Sequence, residues 1–144
     1  MTTTTKRPLY ETEADLEEER FFTDTLCSLW DCDARKLPLR YKMDYALQRG
    51  GIIRAFLEVK VRNYTKDYFE TYMLSMEKVL AARQFSEFAG VPSILAVKWK
   101  DGSGFIVLNT LEDFELGFGG RVDRDDSQDM EPVIFIPIKN FRVI

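Results

Sequence analysis

The chain has 144 residues, 45% of them apolar and 31% charged, with a formal net charge of −4 and no histidine. These proportions fit one soluble globular domain, large enough to bury a core without disulfide or metal staples. The missing histidine excludes Ser-His-Asp hydrolases, Cys-His proteases, histidine-metal nucleases and histidine-based RNases, and leaves carboxylates and lysine as the groups able to hydrolyse anything.

Residues 1–10 read as an unstructured tail. Met1 to Arg7 lacks the apolar stretch of a secretion signal, and no later apolar run is long enough to span a membrane, so a cytoplasmic protein is expected. Residues 11–144 read as a single domain. From Thr12 to Trp30 the pattern is helical, with Leu16, Phe22 and Leu26 spaced along one stripe and Glu17, Glu18 and Glu19 between them. Glu19 borders the stripe, three residues after Leu16 and three before Phe22, which makes it the preferred acidic candidate for a site, with Glu18 next. Cys27 and Cys32 lie at the helix end; a zinc centre needs more soft ligands than two thiols, and reduced structural thiols are expected.

Arg40 to Leu47 has strand composition, and Gln48 to Gly51 supplies turn chemistry. Ile52 to Val61 is β-branched and aromatic-rich and predicts a second strand. Positions i and i+2 of a strand share a face, so Glu58 and Lys60 point the same way about 7 Å apart. Ile53, Ala55, Leu57, Val59 and Val61 take the opposite, apolar face. A hairpin returns Asp44 alongside the far end of the second strand, so two carboxylates and a lysine converge at one sheet edge. Mg²⁺ takes oxygen ligands, commonly one or two carboxylates with water and substrate phosphate, and metal-assisted phosphodiester cleavage suits this set. Lys60 would orient the attacking water or act as its base: burial lowers a lysine pKa and neighbouring carboxylates raise it, and both roles stay open here.

Basic residues flank the motif, with Arg35, Lys36, Arg40 and Lys42 before Asp44 and Lys60, Arg62 and Lys66 from its end, while acidic residues gather over 11–19 and 112–131. That polarity is compatible with phosphate binding, as is an ordinary solvated acidic surface. Thr65 as N-cap and Asp67 in the first turn predict a helix running on to Ala89, with Phe69, Tyr72, Met76, Leu80, Phe85 and Phe88 as its apolar stripe. Gly90 and Pro92 end it. Ile94 to Trp99 predicts a buried strand, Asp101 to Gly104 a turn, and Phe105 to Leu108 the hairpin partner. Pro132 to Ile138 predicts a strand that Pro137 confines to an edge or an end.

Other local patterns carry less. Gly117 to Gly120 lacks the spacing and the Lys-Ser/Thr of a phosphate loop. Asp123 to Glu131 has neither the glycine nor the glutamate that an EF-hand places in its loop, and reads as solvated. Trp30, Trp99 and the tyrosines fit core or rim packing better than base stacking.

The pattern Asp44…Glu58-Val59-Lys60 resembles the PD-(D/E)XK nuclease superfamily, with Met43 in place of the motif's proline. Glu19 to Leu26 looks like the family's first-helix pattern and Val91 to Val97 like its next core strand, so residues 11–110 resemble its helix–strand–strand–helix–strand order. The resemblance implies an α/β restriction-endonuclease-like core, a mixed central sheet flanked by helices. It also implies Mg²⁺ or Mn²⁺ held by Asp44, Glu58, Glu19 and the Val59 backbone carbonyl, with Lys60 at the reacting water. Leu74 to Lys78 resembles a segment of small phage-type members whose lysine lies near DNA, which makes Lys78 and Gln84 substrate-contact candidates beside Lys42, Arg62 and Lys66. Small phage-type nucleases and Holliday-junction resolvases are the nearest resemblance. They imply a structure-dependent or weakly sequence-specific deoxyribonuclease, a possible homodimer and a phage protein in its host cell. Two other readings compete: a catalytically idle domain of this fold that binds nucleic acid or protein, and an unrelated α/β domain in which Glu58 and Lys60 form a surface ion pair.

Overall fold

The computed structural model describes residues 12–119 and 130–144. The expected tail over residues 1–10 and the acidic stretch from Asp123 to residue 129 lie outside the described residues. The first helix, α1, spans Glu13–Trp30. Thr12 Oγ1 accepts from the Asp15 N–H at 3.1 Å and the Asp15 carboxylate accepts from the Thr12 N–H at 3.2 Å, a reciprocal capping box. The helix closes with Asp31 at φ 54° and the Cys32 N–H donating to the Cys27 carbonyl at 3.0 Å, a Schellman ending.

Strand β1 (Asp33–Lys36), β2 (Tyr45–Arg49) and β3 (Ile52–Val61) follow as an antiparallel set. Gly50 and Gly51, at φ 60° and 78°, make the two-residue β2–β3 turn that only positive φ at both positions allows. The chain then crosses through β4 (Thr71–Ser75) and α2 (Met76–Ala89) before β5 (Ser93–Trp99) lies parallel to β3. Strand β6 (Gly102–Val107), β7 (Glu115–Gly119), β8 (Glu131–Pro137) and β9 (Arg142–Val143) complete the described residues. A six-stranded sheet runs β1-β2-β3-β5-β6-β9, and a three-stranded sheet runs β4-β8-β7.

Strand β3 is the pivot. Ala55, Leu57 and Val59 pack under Phe22 and Leu26 of α1 on one face of the large sheet. Phe56 and the β5 residues Leu95 and Val97 pack under Val79 and Ala82 of α2, with Ile134 and Ile136 of the small sheet, on the other. Close packing extends to the sheet margin. A Cβ on Gly104 would stand 2.9 Å from the Arg142 carbonyl oxygen, which as backbone cannot move aside. Gly104→Ala is therefore expected to lower stability by roughly 1–3 kcal/mol, read as a lower urea midpoint with an unchanged m-value.

Two expectations need correction. The helix predicted from Thr65 begins only after the Ser75 cap, because Tyr72 and Leu74 are buried and Met73 between them is exposed, an alternation that pairs with β8 instead. Residues 66–68 form a single 3₁₀ turn. Leu39–Tyr41 is likewise a 3₁₀ turn, so the strand expected from Arg40 starts at Tyr45. The C-terminal strand agrees with expectation in the second of its two forms: it is central in the small sheet, and Pro137 is its last residue.

Candidate active site

Register decides what meets Glu58. Tyr45 pairs with Leu57, so Asp44, one residue earlier on the antiparallel neighbour, comes level with Glu58. Backbone and side chain both fasten it. The Asp44 N–H donates to the Leu57 carbonyl at 3.1 Å, and Asp44 Oδ2 accepts from the Val59 N–H at 2.9 Å. Lys36 Nζ stands 3.7 Å from Asp44 Oδ1.

Glu58 is fully buried. Its Oε2 lies 3.2 Å from Lys60 Nζ and 3.1 Å from Lys78 Nζ. Among the described residues, Oε1 has no hydrogen-bond partner. Lys78 reaches in from the first turns of α2 and also donates to the Lys42 carbonyl at 2.8 Å. Lys42 sits at φ 66°, and its ammonium pairs with Glu77 Oε1 at 2.7 Å. Ser75 caps α2 by accepting from the Glu77 N–H at 3.2 Å and donates its own hydroxyl proton to Glu131.

Burial pushes the Glu58 carboxyl above the usual carboxylate range, and the Asp44 charge adds to that, against the opposing pull of Lys60 and Lys78. For Lys60, burial alone lowers the pKa, but Glu58, with Tyr72 and Asp44 behind it, outweighs burial and leaves it raised. The direction of that shift favours the ammonium form of Lys60. Tyr72, pushed up to about 12 by burial, keeps its hydroxyl proton; that hydroxyl is buried without a hydrogen-bond partner among the described residues.

The other sequence candidates scatter. Arg62 places its guanidinium 5.3 Å from the Tyr72 ring centroid, and Lys66 its ammonium 5.8 Å from that of Trp99. Gln84 is exposed on α2, about 9 Å further along the helix than Lys78 and on another face. Glu19 rides on α1, which covers the Leu57 and Val59 face of β3, opposite the face that carries Glu58 and Lys60. Sequence reasoning did not mark Lys36 or the Lys42 carbonyl as parts of the site. Lys36 was visible in the basic cluster ahead of Asp44; the carbonyl depends on the left-handed turn at Lys42, for which the sequence carries no signal.

Does this set suit a divalent ion? Among the described residues no group of three or more Asp, Glu, His or Cys side chains could hold one. The two carboxylates are nevertheless hard oxygen donors, and the buried Glu58 Oε1 is an acceptor left open. An ion of the Mg²⁺ kind needs one or two carboxylates and takes its remaining ligands from carbonyl, water and phosphate, so the residues present fit it.

The family described as "Phage putative PDDEXK endonuclease" matches residues 5–144. Among solved structures, the Holliday junction resolvase Hjc of Archaeoglobus fulgidus superposes with a TM-score of 0.50 at 24% identity, over 67% of this chain and 76% of that one. At that identity the likeness establishes the fold, a restriction-endonuclease-like α/β core. No curated protein matches the chain.

Proposed function

Because this chain belongs to the phage PDDEXK endonuclease family and is a nuclease, we propose that it hydrolyses DNA phosphodiester bonds with Mg²⁺ or Mn²⁺. Asp44, Glu58 and the Val59 carbonyl would hold the ion. The observation that carries this reading is the carboxylate pair level across β2 and β3, one member fully buried, with an ammonium beside it. The ion, when bound, supplies a water acidified near neutral pH and a counter-charge for the phosphate. Lys60, as an ammonium, orients the water and stabilises the charge that grows on the phosphate. Lys78 ties Glu58 to the Lys42 backbone and so fixes the carboxylate's orientation. Arg62 and Lys66, along the exit of β3, draw the phosphates of the bound strand, with Lys42 on the opposite side of the site.

Cleavage leaves a 5′-phosphate and depends on DNA structure more than on a long sequence, with the protein acting as a monomer or homodimer in the cytoplasm of a host cell. The test is a panel of duplex, single-stranded, flap and four-way-junction DNA with Mg²⁺ or Mn²⁺. Cutting that requires the metal and stops with EDTA is expected on at least one substrate. Tight binding with no cutting under any metal would replace this reading with that of an idle DNA-binding domain.

A further inference from the structure

Glu58, Lys60 and Arg62 follow one another at two-residue steps along the same side of β3 and its exit, so the row of charges leads from the site toward the segment 62–70. That segment carries three aromatic rings in mutual contact. Tyr64 lies 5.6 Å from Tyr68 and 5.2 Å from Phe69, and Tyr68 lies 4.7 Å from Phe69, between centroids. Tyr64 is half-buried against the core and serves as the base of the cluster. Tyr68 and Phe69 are 67% and 51% exposed.

The backbone that carries these rings is fastened by hydrogen bonds. The Lys100 N–H donates to the Tyr64 carbonyl at 3.0 Å, the Tyr68 N–H to Thr65 at 3.1 Å, and the Ile138 N–H to Glu70 at 3.0 Å. The Lys66 N–H donates to Asp101 Oδ1 at 2.9 Å. The segment is thus fastened at both ends, to the β5–β6 turn and to the end of β8. Of the acids on the segment, Asp67 is occupied locally, its Oδ1 accepting from the Thr65 hydroxyl at 3.0 Å. The cations Arg62 and Lys66 belong to the same segment as the two exposed rings, with their heads over Tyr72 and Trp99.

An aromatic surface held rigid beside cations, adjoining a phosphodiesterase site, matches what an unpaired nucleotide needs: a π-face for the base and positive charge for the phosphate. We propose that Tyr68 and Phe69 form a stacking platform for an unpaired base, so that the preferred substrate is DNA in which a single-stranded segment adjoins a duplex. A continuous duplex keeps its bases stacked on each other and offers nothing to the platform. The proposal rests on the nuclease reading and names the substrate class for that same site.

The test measures binding apart from cutting. The full-length protein, with Ca²⁺ replacing Mg²⁺, is titrated with a flap DNA and with a continuous duplex, each carrying 2-aminopurine, in the flap at its first unpaired nucleotide. Stronger binding of the flap is expected, with the 2-aminopurine emission quenched. Tyr68→Ala and Phe69→Ala are each expected to weaken flap binding about tenfold, to leave duplex binding within about twofold, and to remove the quench. Tyr68→Phe should retain flap binding and Tyr68→Leu should not, which separates stacking from apolar contact. Both side chains are exposed, so an unchanged Tm verifies folding. Equal weakening on flap and duplex, or no weakening, with Mg²⁺-dependent cutting intact, would overturn the platform and leave the nuclease standing. Flap-selective binding lost in the variants, with no cutting by the parent protein, would uphold the platform and sink the nuclease reading alone.

Discussion

Lys60→Ala is expected to slow DNA cleavage by roughly 10²–10³-fold, the scale of losing one preorganised donor at a developing negative charge. The direction of its pKa shift favours a positive charge. Burial works against its proton, yet Glu58, Tyr72 and Asp44 hold it above the ordinary lysine value. A raised pKa means the ammonium form is complete below the usual lysine range and is lost only as pH rises through the raised value. If Lys60 acts as an ammonium, the rate has an alkaline limb that falls with pH, and Lys60→Ala removes that limb along with the rate. If Lys60 acted as a base, the same limb would rise. Single-turnover rates across the alkaline range distinguish the two. Mn²⁺ affinity should be no weaker in the variant, since the lost group is a cation and not a ligand.

Glu58→Gln is expected to abolish the stabilisation that metal confers on the protein. An ion at 100 times its dissociation constant adds about 2.7 kcal/mol to the parent protein and should add nothing measurable to the variant. A second signature needs no metal. The Glu58 carboxyl, buried beside Asp44, has its pKa raised in the fold. Such a group contributes stability below its unfolded value, about 4.3, and loses it as pH rises through the folded value. The parent should therefore lose stability relative to Glu58→Gln as pH increases across that window, the reverse of what a salt-bridged surface glutamate does. Urea melts of both proteins at stepped pH, in EDTA, check the sign.

Much of the site was legible because strands obey a period of two. Glu58 and Lys60 had to share a face, and two glycines fixed a turn that left Asp44 level with Glu58. Helix α1 was legible from its cap and its stripe. What the pattern hid was the approach of Lys78 to Glu58. That contact depends on where α2 begins, and its start is set by β4 pairing with β8, some 60 positions later in the chain. Phe69, Tyr72 and Met76 also fit a helical stripe, and only tertiary pairing separates them into a loop, a strand and a helix. Glu19 shows the same limit. Its place beside the apolar stripe was readable, but which face of β3 that stripe would cover was not.

The central position of β3 also governs the order in which this protein can assemble. Its hairpin with β2 closes over two residues, an event on the microsecond scale, whereas its parallel partner β5 arrives only after the whole β4–α2 crossover has found its place. Asp44 and Glu58 thus come together while water still surrounds them. Lys78 and the core behind it dock later, and only then does Glu58 surrender its hydration. If burial of Glu58 comes that late, Glu58→Gln is expected to slow unfolding and to leave the folding rate nearly unchanged, as stopped-flow urea jumps would show.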